Sequence, residues 1–314
     1  GRPPTISSAS RDAGALNFVT GMNRLNSRFS AVSTQLIFVF LENILMRIIA
    51  VANQKGGVGK TTTSCNLAAG LAVKGFRTLL VDLDQQRNAT HSFELPRIET
   101  TLAEVLVGTK HDLKDVREAI YEMHLVNLDL TPASIRLALV EKQLSVGEQY
   151  RLKDALSKLT EYDFILIDCP PSLGATLTQA LLACQYVLVP IAAEYYPLEG
   201  VMDLDETIEE TRRANESLEI LGYLMTRYDK RNGICKEALA HVKNKYGNLV
   251  FESIISTNVS LQTAPAYKKS IYEHAPESTG SENYMFLTEE VIEKVARNSN
   301  KKLKLVKNRK KEAS

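Results

Sequence analysis

The chain of 314 residues lacks the paired cysteines and the long apolar runs that mark several classes of protein. Its four cysteines, Cys65, Cys169, Cys184 and Cys235, lie far apart and form no C-x-x-C pair. This spacing argues against a disulfide framework and against a cysteine-rich zinc or iron–sulfur site, and it is typical of a reducing cytosol. The apolar run at residues 36–41 is far shorter than the roughly 20 residues that span a bilayer, and no signal-peptide cleavage pattern follows it.

Neither the composition nor the length is extreme. Hydrophobic residues make up 44% and charged residues 24% of the chain, which excludes a largely disordered, collagen-like or multi-span membrane protein. At about 150 residues per domain the length allows two domains, although a single α/β domain commonly exceeds about 200 residues.

A strong overall charge is also absent, because the net charge is only +1, but the charge is unevenly distributed. Residues 297–314 carry eight Lys and Arg side chains against one Glu, and residues 1–45 carry four Arg against two acids, which leaves residues 46–296 at −8. This pattern indicates an acidic globular unit with a basic tail at 297–314 that could contact nucleic acid or anionic lipid. A solvated, frayed terminus is the alternative.

The first 45 residues do not resemble part of a folded domain. They are rich in Ser, Asn and Arg and show no helical periodicity before Ser33. We expect them to be a non-native or disordered leader, with the natural start at Met46, where a strand-like run begins. A short partner-binding arm is the alternative.

From Arg47 onward, short β-branched runs alternate with longer helical stretches. Several of the runs are apolar at nearly every position, as expected for strands of a parallel sheet with helices on both faces. The predicted strands are Arg47–Asn53, Arg77–Asp84, Leu128–Thr131, Phe164–Asp168, Tyr186–Ile191, Leu218–Thr226 and Phe251–Ile255. The predicted helices are 60–74, 101–107, 113–121, 134–144, 148–160, 175–184, 199–214, 234–247 and 283–297. The fold class is therefore α/β, with one doubly wound, mostly parallel sheet in residues 46–296.

The most informative segment is Asn53–Thr62, which lies between an apolar strand and an Ala- and Leu-rich helix. Its glycines let backbone N–H groups surround a phosphate, and the helix points its positive end at the same anion. Lys60 can reach the β- and γ-phosphates, and Thr61 supplies a hydroxyl to Mg²⁺. We therefore predict that ATP and Mg²⁺ bind here. The predicted ATP-binding residues are Lys55, Gly56, Gly57, Val58, Gly59, Lys60, Thr61 and Thr62.

The loop departs from the ordinary phosphate-loop pattern in two neighbouring positions. Gln54 stands where the first glycine is usual, and Lys55 is a second lysine. Two ammonium groups at one anion site repel each other unless each meets phosphate oxygens. Because Lys60 already serves its own loop, Lys55 would reach best toward phosphates held by a second copy. The pattern thus predicts a symmetric homodimer that forms on ATP binding.

Five segments together resemble the ParA/MinD group of P-loop ATPases, and its ParA/Soj branch in particular. They are Lys55–Thr62 (KGGVGKTT), Val81–Thr90 (VDLDQQRNAT), Tyr162–Ser172 (YDFILIDCPPS), Glu194–Gly200 (EYYPLEG) and Asn258–Pro265 (NVSLQTAP). The first is similar to the deviant Walker A loop and the third to Walker B. The segments follow the family's order and extend the resemblance from about residue 47 to residue 295.

This resemblance implies a P-loop NTPase fold and a DNA-partitioning ATPase. In that reading ATP drives a sandwich dimer that binds DNA without sequence preference. Hydrolysis, stimulated by a ParB-like centromere-binding partner, then releases the dimer and segregates chromosome or plasmid. The resemblance also implies that the protein is cytoplasmic, associates with the nucleoid and does not contact a membrane. It does not decide whether the cargo is a chromosome or a plasmid.

Roles for the acidic residues combine position and resemblance. Asp168 ends an apolar strand at the carboxyl edge of the sheet, where doubly wound proteins bind ligands, and could hold Mg²⁺ through a water. Asp82 and Asp84 point to opposite faces of an extended strand, so they cannot act on the same water. The resemblance assigns Asp84 to positioning the hydrolytic water, with a possible contact to Mg²⁺, and leaves Asp82 structural or near the metal.

The predicted catalytic residues are thus Lys55, Lys60 and Asp84. A carboxylate is a weak base at neutral pH, so we expect slow turnover. Gln85 and Arg87 replace the Pro and Gly that are usual in the second motif. The geometry of this loop, and with it the hydrolysis rate, is therefore open.

DNA contact would need only positive charge on the carboxyl-terminal half of the dimer. The candidate DNA-binding residues are Arg212, Arg213, Lys236, Lys243, Lys245, Lys268 and Lys269. A solvated helix face is the alternative for each of them. Ser260 stands where the family has Arg, and the acidic body opposes DNA binding unless the charges are segregated.

Other functions on the same fold are less consistent with the sequence. A MinD-like membrane-positioning ATPase needs an amphipathic carboxyl-terminal helix, and residues 297–314 offer only Leu303, Leu305 and Val306 among lysines. A metallocluster carrier needs paired cysteines, and the segments after residue 190 argue against an amide ligase or small-molecule kinase. Retention of the phosphate-loop and acidic residues disfavours a pseudo-ATPase.

Overall fold

A computed structural model describes residues 46–109, 111–142 and 145–312 of the chain. The predicted leader at 1–45 lies outside the described residues. The last helix runs from Thr279 to Glu312, so the predicted boundary between residues 296 and 297 falls inside it.

The described residues contain one eight-stranded sheet in the order β3-β4-β2-β5-β1-β6-β7-β8. All neighbouring strands are parallel except the short pair β3 and β4. The strands are β1 (Arg47–Val51), β2 (Thr78–Asp82), β3 (Tyr121–Glu122), β4 (Leu128–Thr131), β5 (Phe164–Asp168), β6 (Tyr186–Ala192), β7 (Glu219–Tyr228) and β8 (Val250–Ser256). The predicted doubly wound, mostly parallel α/β fold is therefore confirmed.

Helices connect the strands and cover the sheet. The α-helices are α1 (Lys60–Val73), α2 (Asn88–His91), α3 (Leu102–Leu106), α4 (Val146–Gln149), α5 (Arg151–Leu156), α6 (Ala175–Ala183), α7 (Val201–Arg212), α8 (Gly233–Tyr246), α9 (Val259–Thr263), α10 (Ile271–His274) and α11 (Thr279–Glu312). Short 3₁₀ helices occupy Val116–Ala119, Ile135–Lys142, Gly247–Leu249 and Ala264–Tyr267.

The central strands are apolar because both faces of the sheet are covered. Every residue of β2, β5 and β6 is buried, including the aspartates that end β2 and β5. Strand β1 lies between β5 and β6, so the chain leaves the centre of the sheet in both directions. A crevice at the carboxyl ends of such strands is where open parallel sheets bind ligands.

Helix α11 packs directly on α1 through a glycine. A Cβ atom at Gly70 would lie 2.7 Å from the hydroxyl oxygen of Tyr272 and still closer to that of Thr288. Near the start of α1 the hydroxyls of Thr63 and Tyr284 are hydrogen-bonded at 3.1 Å. The carboxylate of Glu290 on α11 also accepts hydrogen bonds from the N–H groups of residues 252 and 253 in β8. This helix therefore joins the first helix of the fold to the edge strand of the sheet.

The sequence-based elements differ from the structure mainly on the β3 side. The predicted helix at 113–121 is a single 3₁₀ turn at Val116–Ala119 followed by β3. A capping box between Asp115 and Glu118 closes the amino end of this turn, and the extended backbone of Ile120 ends it and leads into β3. The prediction at 148–160 corresponds to two short helices, α4 and α5.

Candidate functional site

The loop between β1 and α1 has the backbone geometry that its glycines predict. Gly57 and Gly59 adopt φ angles of 73° and 88°, in the left-handed region that favours glycine. The hydroxyl of Thr226 in β7 donates a hydrogen bond of 2.8 Å to the carbonyl of Val58 and fixes the loop against the sheet. The loop thus presents backbone N–H groups at the amino end of a 14-residue helix, an arrangement suited to phosphate.

Lys60 lies inside this loop. Its side chain is almost fully buried, and its ammonium donates a hydrogen bond of 3.0 Å to the carbonyl of Lys55. Burial lowers the pKa of Lys60, whereas the negative charge of Asp168 raises it. A buried cation among N–H donors fits a polyanionic ligand, so the residues present are consistent with a nucleotide triphosphate.

Asp168 lies at the end of β5, against the start of α1. Its Oδ2 accepts a hydrogen bond of 2.8 Å from Thr61, and its Oδ1 accepts one of 2.9 Å from Ser64. The carboxyl group is fully buried, and this burial raises its pKa. A hydroxyl and a carboxyl oxygen side by side are donors that Mg²⁺ prefers. Ser64 was missed by the sequence analysis, although it follows Thr61 by three residues on the helix and so lies on the same side.

Asp82 ends β2, whereas Asp84 lies beyond the strand, and the N–H of Asp84 donates a hydrogen bond of 3.1 Å to Oδ1 of Asp82. Asp82 is fully buried and accepts hydrogen bonds of 2.7 Å from both the N–H and the hydroxyl of Thr90, and burial raises its pKa. It therefore holds the β2–α2 loop in place. Asp84 is 6% exposed, and its Oδ1 accepts a hydrogen bond from the N–H of Gln86.

The β2–α2 loop contains one strained position. Arg87 adopts a φ angle of 61°, which a residue with a Cβ atom rarely takes, and it forms the amino-terminal cap of α2. Its N–H donates to the carbonyl of Asp84, which closes a turn directly after that residue. The replacement of Gly by Arg in this motif therefore keeps the glycine-like backbone.

Lys55 lies on the outer side of the phosphate loop. Its ammonium forms an ion pair of 2.8 Å with Oε2 of Glu194, and Oε1 of Glu194 lies 3.6 Å from Nη1 of Arg227. Arg227 in turn donates a hydrogen bond of 3.2 Å to the carbonyl of Gly57. Glu194 is predicted from the sequence only as part of a motif, and Arg227 is not predicted at all, because nothing in the spacing joins the ends of β6 and β7 to the loop.

A cleft of about 490 Å³ extends from the phosphate loop toward the ends of β7 and β8. Its walls include Gly57, Thr62, Thr226, Asn258 and Gln262. The cleft borders on the loop that would hold the phosphates, so it offers space for the remainder of a nucleotide. Asn258 and Gln262 belong to the segment Asn258–Pro265, which resembles a ParA/Soj motif, so this segment also lines the cleft.

The candidate DNA-binding residues differ in ion pairing and in exposure. Arg212 and Lys243 are engaged in ion pairs with Glu209 and Glu252. Lys245 lies over the ring of Tyr246 at 5.1 Å. The remaining four, which are Arg213, Lys236, Lys268 and Lys269, are exposed.

Lys268 is held near the nucleotide side of the fold. It adopts a φ angle of 56°, and its ammonium contacts the carbonyl of His91 at the end of α2. With Lys269 it lines a cavity of about 460 Å³ that also borders on Thr61 and Thr62. These two lysines therefore line the same cavity as two residues of the phosphate-loop segment.

Other site types receive no support from the part of the chain that the structure describes. The four cysteines are buried free thiols. Among the described residues, no helix combines the length and the apolar character needed to cross a membrane, and no group of three or more His, Cys, Asp and Glu residues could hold a metal ion.

Comparisons with known proteins agree with this geometry. A protein-family model described as an AAA domain matches residues 46–220. The chain is 41% identical over 251 residues to the sporulation initiation inhibitor protein Soj of Bacillus subtilis, covering 78% of this chain and 98% of that protein. It is 43% identical over 253 residues to the chromosome-partitioning ATPase Soj of Thermus thermophilus, covering 80% and 97%.

Among solved structures, one similar chain is a Mycobacterium smegmatis cobyrinic acid a,c-diamide synthase with bound ADP and magnesium. It is 33% identical, has a TM-score of 0.66, and the match covers 78% of this chain and 93% of that one. The partition relatives match at higher identity over nearly their whole length. The chain therefore belongs to the ParA/Soj family of P-loop partition ATPases.

Proposed function

We propose that this protein is a partition ATPase in which bound ATP controls the association of two copies, and that the dimer binds DNA without sequence preference. Hydrolysis, stimulated by a ParB-like partner, then returns the chains to monomers and releases the DNA. Repeated cycles would move a chromosome or plasmid, with the protein associated with the nucleoid.

The observation that carries this proposal is the division between the two lysines of the loop. The ammonium of Lys60 lies inside the loop and bonds to the backbone of Lys55, whereas the side chain of Lys55 extends to Glu194 on the outside. One lysine is thus placed for its own nucleotide. The other is placed at the surface, from which it could reach the phosphates of a second copy.

The remaining residues support nucleotide hydrolysis. We propose that Gly56, Gly57, Val58, Gly59 and Thr62 hold the phosphates through backbone N–H groups and the threonine hydroxyl. Thr61 and Asp168 would hold Mg²⁺, with Asp168 acting through a water, and the ion when bound would neutralise phosphate charge. Asp84 would orient the attacking water, because it lies at the same edge of the sheet and is nearly buried. A possible contact of Asp84 with Mg²⁺ is part of the same proposal.

The decisive experiment measures molecular mass by light scattering with and without ATP and Mg²⁺. We use Asp84→Ala to trap the ATP state, and expect a dimer with ATP and a monomer with ADP. Lys55→Ala in the Asp84→Ala background should stay monomeric with ATP. The control Lys158→Ala removes an exposed lysine about 100 positions after the phosphate loop and should dimerise normally. Dimerisation of Lys55→Ala would overturn the proposed role of that lysine.

Co-sedimentation then tests the target of the dimer. We expect ATP-dependent sedimentation with DNA that falls steeply between low and moderate salt, because each phosphate contact releases counterions. ATP-dependent sedimentation with anionic liposomes but not with DNA would favour the MinD-like alternative. ATP turnover that neither DNA nor any partition partner alters would favour a small-molecule reaction such as amide ligation.

A further inference from the structure

We propose that a groove formed by Tyr195, Tyr196, Met202 and Ile234, here called the tyrosine groove, is the docking surface for a cationic segment of a partner protein that carries an apolar anchor. The proposal deepens the proposed function, because it assigns a surface and a chemistry to the partner that stimulates hydrolysis. It follows from the exposure, the charge and the position of the groove.

The tyrosine groove is unusually apolar for an exposed surface. Tyr195, Tyr196 and Met202 are 68%, 67% and 61% exposed, and Ile234 is 43% exposed. The two tyrosine rings pack edge to face at 4.8 Å and together line one part of the groove. These residues, together with the first turns of α7 and α8, line a groove with a volume of about 620 Å³. Contiguous apolar patches of this kind mark interaction surfaces, and Tyr and Met are enriched in them.

The groove is also negatively charged. Its lining includes Glu199, Glu237 and His241 but no Lys or Arg. The exposed carboxylate of Asp203 follows Met202 directly on α7. An apolar groove with acidic sides is complementary to a segment in which Lys or Arg residues flank an apolar side chain.

The position of the groove connects it with the phosphate loop. Glu194, the partner of Lys55, directly precedes Tyr195. A Cβ atom at Gly200 would lie 3.3 Å from the side-chain oxygen of Gln54 and 3.7 Å from the backbone nitrogen of Lys55, so the segment 194–200 lies against the loop. A cation that enters the groove beside Glu194 competes with Lys55 for the carboxylate. Docking would therefore free Lys55 to contact phosphate.

A second copy of this chain fits the groove less well than a cationic partner. In a symmetric pair the same patch faces itself if it lies on the axis, and the carboxylates of Glu199 and Glu237 would then meet their own copies. Such a like-charge contact is unfavourable. Charge complementarity therefore favours a positively charged occupant, and we assign that occupant to another protein.

The test uses the full chain without nucleotide and fluorescent peptides as probes. One short peptide alternates lysine with leucine, a second replaces each lysine with glutamate, and a third replaces each leucine with serine. Fluorescence anisotropy measures their binding to the wild type and to two variants of the groove, the double variant Glu199→Lys with Glu237→Lys and the single variant Tyr196→Ser. The matched control is Glu210→Lys with Glu216→Lys, which changes two exposed carboxylates outside the groove lining.

We expect the lysine–leucine peptide to bind the wild type and the control equally. Each groove variant should weaken its binding, by about tenfold for the charge reversal, since two partly exposed ion pairs are worth about 1.4 kcal/mol together. The glutamate and serine peptides should bind more weakly than the lysine–leucine peptide. Equal binding to wild type and to both groove variants would overturn the proposal, as would equal binding of the glutamate peptide.

Two further outcomes identify a different occupant and also overturn the proposal. If Tyr196→Ser abolishes ATP-dependent dimerisation, the groove is a contact between copies of this chain. If deletion of residues 297–314 tightens peptide binding, the chain's own basic segment fills the groove. Because the peptide measurement needs no nucleotide, its failure is distinguishable from a failure of the ATP-dependent dimer, which the Lys55→Ala experiment tests.

Discussion

The ammonium of Lys55 lies 2.8 Å from the carboxylate of Glu194 in the same chain, at the outer side of the phosphate loop. For Lys55 to reach the phosphates of a second copy, this ion pair has to break. Both side chains are about one-third or more exposed, with fractions of 32% and 41%, so the pair contributes little to folding stability. In the proposed dimerisation, breaking this pair would add a small free-energy cost.

Glu194→Gln should lower that cost. Removing the carboxylate charge frees Lys55, so we expect half-maximal dimerisation at an ATP concentration up to about fivefold lower, since an exposed pair is worth about 0.2–1 kcal/mol. Light scattering across an ATP titration in the Asp84→Ala background measures the shift, with Glu216→Gln as the control. A higher ATP requirement in Glu194→Gln would mean that Glu194 assists the dimer.

Gly70→Ala should destabilise the fold at the contact between α1 and α11. The added methyl group would overlap the hydroxyls of Tyr272 and Thr288, and overpacking of this kind typically costs about 1–3 kcal/mol. Urea unfolding measures the free energy of unfolding. Gly233→Ala, at the first residue of α8 with no atom within 4 Å of the new Cβ, is the control and should be neutral or slightly stabilising. Equal stability of the two variants would contradict the close packing.

The ion pair between His124 and Glu273 should make stability depend on pH. The hydrogen bond that His124 donates to Glu273 raises the pKa of His124, although burial and Lys269 oppose it, and the charges of Glu273 and Glu94 add to the increase. The pKa of Glu273 is lowered, because its hydrogen bonds with His124 and Ser270 outweigh burial. The His contribution is therefore complete below about pH 6.5 and is lost as pH rises through the raised pKa. The Glu contribution is present above about pH 4.5 and is lost as pH falls through the lowered pKa.

We accordingly expect His124→Gln to cost less than about 1 kcal/mol at about pH 5.5, because the imidazole is 45% exposed, and to cost nothing at about pH 8.5. Urea unfolding at the two pH values checks this difference. The control is Lys158→Ala, whose small effect should not change with pH in this range. An equal effect of His124→Gln at both values would show that the pair is not ionic.

The candidate DNA-binding residues that form no ion pair with a described carboxylate should contribute more to DNA binding than those that do. Lys236, Lys268 and Lys269 are exposed, whereas Arg212 and Lys243 are paired with carboxylates, so their charge is partly compensated. We expect alanine replacement of each exposed lysine to weaken ATP-dependent DNA binding and to reduce its salt dependence by about one counterion, with a smaller effect for the paired residues. Co-sedimentation at several salt concentrations measures both quantities. A smaller loss of DNA binding for the exposed lysines than for Arg212 and Lys243 would contradict this prediction.

Much of the fold was predictable from the sequence because its strands are apolar and its central sheet is buried on both faces. All seven predicted strands occur, and β3 was missed because a two-residue strand carries no periodicity. The three short helices α2, α9 and α10 were missed for the same reason, since four or five residues are too few to show a helical pattern.

The site was predictable where one segment of chain carries it, and not where distant segments meet. The glycines and Lys60 follow one another in a single loop, so their pattern is visible in the sequence. The contacts of Ser64 with Asp168 and of Arg227 with Gly57 join residues about 100 or more positions apart. Their geometry is set by the strand order, in which β1 lies between β5 and β6, and the sequence does not state that order.

The contact between α1 and α11 also has a mechanical consequence. A helix of 34 residues is about 50 Å long, and α11 is attached to the rest of the fold at several points along its length. Glu289 pairs with Lys74 at the end of α1, Glu290 accepts hydrogen bonds from β8, and Ser299 accepts one from Arg47 in β1. The helix therefore links α1 to both the centre and the edge of the sheet, so a displacement of α1 would strain contacts at β1 and β8.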